Sequence, residues 1–82
     1  MKSNKTIWTE MQAIENRVGK FRDSVRTTEY IVMEHERTFD RTQCEIVEKE
    51  LKMFRAYLAS ERRRLARAQA VLTAYIKTQG LE

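Results

Sequence analysis

His35 and Cys44 are the only histidine and the only cysteine in the chain, and they bound the chemistry it can perform. The stretch "HERTF", residues 35–39, opens like a helical His-Glu-x-x-His zinc site, but Phe39 stands where the second histidine would be. With no further Cys or His, a metal site within one chain would need carboxylates alone, and the Glu-x-x-His pattern of di-iron bundles does not occur. There is no glycine-rich phosphate loop and no G-x-S-x-G turn, and one histidine makes no triad. Cys44 reads as an ordinary thiol among glutamates. The expectation is a non-enzymatic protein with no cofactor, no metal and no small-molecule substrate.

What remains is charge. In "ASERRRLARAQAVL", residues 59–72, four arginines (Arg62, Arg63, Arg64 and Arg67) fall within six positions. They read either as a hand for nucleic acid or as the flank of a helix that contacts a protein. The net charge of +4 hides a division. Between Glu29 and Glu50, seven acids (Glu29, Glu34, Glu36, Asp40, Glu45, Glu48, Glu50) outnumber Arg37, Arg41 and Lys49. Between Lys52 and Arg67, the four arginines with Lys52 and Arg55 outnumber Glu61.

The elements that carry these charges follow from periodicity. The chain has no proline, two glycines and 34% charged residues, a composition of long helices. Stepping by four and three from Ile7 gives Met11, Ile14, Val18, Phe21, Val25, Thr28, Val32, His35, Phe39, Thr42 and Ile46, a heptad seam that begins at a d position. That frame then fails, and one shifted by a residue takes over: Val47, Leu51, Phe54, Leu58, Glu61, Leu65, Ala68, Leu72, Tyr75. Two frames with a register break predict two helices. Helix one is expected over about 5–38, a turn over about 38–42 and helix two over about 42–78, as one hairpin domain spanning residues 1–82. Asp40 with Gln43, or Thr42 with Glu45, offers a cap for helix two, and Gly80 after Lys77 a stop. A continuous rod is the alternative, since neither Pro nor Gly interrupts residues 20–79. Gly19 suggests a bend or a close helix contact.

The fold class expected is therefore all-α: a long antiparallel, coiled-coil-like hairpin. Its seam is assigned to Ile14, Val18, Phe21, Val25, Val32, Leu51, Phe54, Leu58, Leu65 and Leu72. Thr28, His35 and Thr42 are polar d positions that cost stability and can set register. His35 is read as lying in a wet stretch near the tip, with a pH-sensitive assembly as the lesser reading. With the turn near residue 40, Glu61 comes level with Arg17 and Lys20, and either would pair with it.

One narrow seam leaves apolar groups without cover. Ile46, Met53, Tyr57, Val71 and Ala74 form a second line on helix two, while Trp8, Tyr30, Ile31 and Met33 lie off the seam of helix one. A second copy, giving a four-helix bundle, or the helices of another protein would cover them. Partner contact is assigned to Tyr57, Arg62, Arg63, Arg64 and Arg67. In the second frame Arg62 falls at e, Arg63 at f, Arg64 at g and Arg67 at c, so the arginines spread around the helix and form no single reading face. Weak, salt-sensitive binding to nucleic acid, as a regulator built on the Arg62–Arg67 block, stands as the alternative. The longest run of large apolar residues, "YIVM" at 30–33, is too short to enter a membrane as a span. "MKSNKTIWTEMQ" holds no apolar signal-peptide core, and a lone cysteine fits a reducing compartment such as the cytoplasm. In layout the chain resembles the short, charge-rich helical hairpins of bacterial secretion-system chaperones and stalk proteins and of phage accessory proteins. That likeness is architectural, and no residue is carried over from it.

Overall fold

A computed structural model describes residues 2–81; Met1 and Glu82, the limits of the expected domain, lie outside the described residues. Helix α1 (Asn4–Thr42) and helix α2 (Glu45–Thr78) pack against each other as an antiparallel hairpin joined by Gln43 and Cys44. No strand occurs among the described residues. The hairpin measures 61 × 16 × 15 Å, a length that the 39 residues of α1 nearly supply at about 1.5 Å each.

Local chemistry sets the helix ends. Ser3 caps α1, its hydroxyl accepting from the Thr6 N–H at 3.2 Å. At the tip α1 runs through Thr42, past the turn expected at 38–42, and ends because Gln43 adopts the left-handed conformation (φ 52°, ψ 32°). The Gln43 N–H donates to the Phe39 carbonyl at 2.7 Å, and its side-chain amide donates to the same oxygen at 3.2 Å. The caps expected for α2 are not formed: Asp40 and Thr42 are still inside α1, and Cys44 takes the N-cap position without a side-chain bond. The Thr42 hydroxyl instead donates back to the Thr38 carbonyl at 2.8 Å and accepts from the Cys44 N–H at 3.3 Å. Glu45 and Glu48 occupy the first turn of α2, where the helix dipole favours acids. Gly80 (φ 68°) closes the far end, with the Leu81 N–H bonded to the Ile76 carbonyl at 3.0 Å.

Between the helices lies one layer of side chains. Val18, Val25, Val32, Leu51 and Leu58 are buried, and Ile14, Phe21, Phe54, Leu65 and Leu72 are half-buried. Val25, Val32, Leu51 and Leu58 form one buried cluster, with Phe54 and Leu65 packed against it. Among the described residues no side chain is sealed completely; even Val18 and Leu51 keep 4% of their surface exposed. Two cylinders in contact along one line leave water on both sides of that line.

Placing the turn at 43–44 instead of near 40 slides α2 along α1 by up to one heptad, about two helical turns. Glu61, only 3% exposed, therefore faces Ser24, whose hydroxyl donates to Oε2. Arg17 and Lys20, expected as its partners, lie farther toward the base. Glu61 Oε1 has no hydrogen-bond partner. Gly19 marks no close contact either, for a Cβ built there meets nothing within 4 Å.

Two stability changes follow. Gly19→Ala restores helix propensity at no steric cost and is expected to stabilise the fold by about 1 kcal/mol in urea unfolding. Ser24→Ala leaves the Glu61 carboxyl group without a bond and is expected to cost about 1–3 kcal/mol. The double change Ser24→Ala/Glu61→Leu removes both polar partners and is expected to recover at least that loss. If the double variant unfolds at lower denaturant than Ser24→Ala, the pair stabilises the fold in a way this reading lacks.

Candidate protein-interaction face

An antiparallel hairpin has two flanks beside its seam. With valines at a in α1 and leucines at a in α2, the e positions of both helices meet on one flank and the g positions on the other. The e flank is complementary: Glu29 lies 3.9 Å from Arg62, and Glu36 lies 3.7 Å from Arg55. These pairs are about half exposed, so they align the helices more than they stabilise them.

The g flank is different. Ile14, Phe21 and Ala68 floor an open groove of about 320 Å³ whose sides include Val71, and Arg17, Arg64 and Arg67 rim it from both helices. Among the described residues none of these three arginines makes an ion pair. Toward the tip this flank continues along α2 through Tyr57, Met53 and Ile46. Together with Val71, these are all of the large apolar side chains that α2 leaves exposed, each more than half exposed. Of those of α1, Trp8 (at e) and Met33 (at b, beside Glu29 and Glu36) lie on the e flank, and Tyr30, at f, faces away from the seam.

The five residues assigned to partner contact do not form one site. Tyr57, Arg64 and Arg67 share the g flank. Arg62 is on the opposite flank beside Glu29, and Arg63, at f, points away from the seam. Arg17 completes the groove and was missed, because the misplaced turn assigned it to Glu61. Its g position in the first heptad frame was the available signal.

Polar contacts tie both ends of the hairpin. At the tip, the His35 Nδ1–H donates to the Ile31 carbonyl at 2.9 Å and Nε2–H to Glu50 at 3.0 Å, with the Phe54 ring 4.9 Å away. Both ring nitrogens donate at once only in the imidazolium form. The Ile31 carbonyl, and after it Glu50, raise the His35 pKa above its ordinary value. At the base, the Tyr75 hydroxyl donates to Glu10 at 2.7 Å, and Lys2 reaches the same carboxylate oxygen at 2.8 Å. Desolvation, then the Glu10 carboxylate, push the Tyr75 phenol up to about 12. Lys2, with Tyr75 second, lowers the Glu10 pKa.

Among the described residues no group of three His, Cys, Asp or Glu side chains could hold a metal ion, and no helix is long and apolar enough to cross a membrane. No family model, curated protein or solved structure matches the chain.

The tip contact has a defined pH signature. Because the folded-state pKa of His35 is raised, its contribution is complete below the unfolded value near 6.5 and disappears as pH rises through the folded value. Thermal melts of the wild type and His35→Gln are therefore expected to differ at pH 5.5 and to converge at pH 9. A gap that is equal at both pH values would rule out the charged contact.

Proposed function

We infer that this protein is a non-enzymatic protein–protein interaction module, a small adaptor, chaperone or assembly subunit that docks helices on its g flank. One observation carries the reading: every large apolar side chain that α2 exposes lies on the flank where three arginines have no acidic partner. Within one chain such a flank is unfinished. Its apolar strip is worth about 25 cal/mol for each Å² removed from water, and its arginine stems add apolar cover. An amphipathic helix with acids at its margins supplies both needs. The lone Cys44 and the lack of any catalytic constellation support a cytoplasmic setting and a binding role.

The nucleic-acid reading has less support. Arg62, Arg63, Arg64 and Arg67 face three directions, Arg62 is already beside Glu29, and the acidic tip repels phosphate.

Photo-crosslinking separates the two. A photoreactive phenylalanine analogue at position 57 or 71 is expected to give protein adducts in cells, and the same residue at position 55, on the ion-paired flank, none. Labelled DNA or RNA is expected to show no tight binding at low salt. Salt-sensitive binding abolished by Arg63→Glu/Arg64→Glu, with no adducts from position 57, would turn the assignment to a nucleic-acid regulator.

A further inference from the structure

We propose that the groove receives the tip of a second copy of this chain, the two hairpins lying antiparallel about a two-fold axis. This rests on the helix-docking reading above and names the partner.

Spacing is the first argument. Ile46 and Met53, exposed on the g flank near the tip, are one heptad apart, as are Ile14 and Phe21 in the groove floor. Counted from the tip at about 1.5 Å per residue, Ile46 and Met53 lie about 4 and 14 Å along α2. Phe21 and Ile14 lie about 34 and 44 Å along α1 on the same count. Laid antiparallel with about 48 Å of overlap, the copies bring Ile46 level with Ile14 and Met53 level with Phe21 together. One offset satisfies both.

Charge is the second argument, and it is independent of the first. At that offset Glu50 comes level with the gap between Arg17 and Arg67, and Glu34 with the gap between Arg64 and Arg67. Each acid already holds a neighbour through one oxygen, Glu50 to His35 by Oε2 and Glu34 to Arg37 by Oε1, and the other oxygen is outside those bonds. A parallel two-fold pair would instead set each arginine triplet against its own copy, and like charges at close range disfavour it. The axis then passes near Thr27 and Ser60, whose small side chains allow close approach, with Tyr57 beside them as an aromatic anchor. Such a contact is isologous, each tip filling the other's groove, and therefore closes as a dimer.

The test uses the full chain and its own cysteine. Light scattering is expected to give twice the 9.8 kDa chain mass. Spin labels on Cys44, one at each tip, are expected about 50 Å apart, the overlap set by the helical rise. Arg64→Glu/Arg67→Glu and Glu34→Lys/Glu50→Lys are each expected to be monomeric alone, with helical circular dichroism intact, and to form a dimer when mixed. A monomeric wild type at all concentrations, a Cys44 distance below about 30 Å, or helical variants that do not recombine would each overturn the proposal. A monomer that still gives adducts from position 57 overturns the second copy and leaves the docking reading standing; no adducts would remove the docking reading itself.

Discussion

The structure depends on the geometry of one line of contact. Two helices can bury only the side chains that point at each other, and everything beside that line stays partly wet. Val18, Val25, Val32, Leu51 and Leu58, with Ala68, are the buried apolar residues of the seam, yet none is sealed. Stability must then come from length, from regular heptads and from ties at the ends. His35 with Glu50 at the tip and Tyr75 with Glu10 and Lys2 at the base act where the seam would otherwise fray. Both flanks are close enough to the seam to matter, so their chemistry decides whether the hairpin is finished or waiting for cover. One flank is ion-paired by Glu29, Glu36, Arg55 and Arg62; on the other, Arg17, Arg64 and Arg67 make no ion pair among the described residues.

Most of the fold was legible in the residues because heptad repetition is redundant. Losing one position, such as His35, does not hide a seam marked by valines or leucines every seven residues with further apolar residues between them. The break between the two frames revealed a turn without locating it. The stretch 37–45 holds threonines, Asp40 and Gln43, all of which suit a helix end or a cap, and it lacks the glycine that usually marks a left-handed C-cap. Gln43 takes that conformation, with backbone and side chain both bonded to the Phe39 carbonyl. Local propensity does not announce a glutamine in that role. The error of a few residues at the tip is doubled across a hairpin and becomes an error of up to one heptad in every pairing across the seam.

The candidate site was legible in part for the same reason. Tyr57, Arg64, Arg67 and the apolar line through Ile46, Met53 and Val71 belong to one helix, and helical periodicity alone aligns them. Arg17 belongs to the other helix, so finding it required the register. Arg62 was drawn in by its neighbours in sequence, although a step of one residue turns a helix by about 100° and carries it toward the opposite flank.

The register in turn explains the groove. With two residues in the connection, α2 cannot slide by a heptad without unravelling one helix or the other at the tip. Glu61 is thereby held opposite Ser24, a neutral partner that satisfies one of its two oxygens. Had the turn come near residue 40, Arg17 would have neutralised Glu61 and the g flank would carry two arginines at this level in place of three. The short tip thus costs the seam an unsatisfied carboxyl oxygen and releases a cation to the surface, beside Phe21 and Ile14. What looks like a flaw in the seam and what looks like excess charge on the flank have one cause, the position of Gln43.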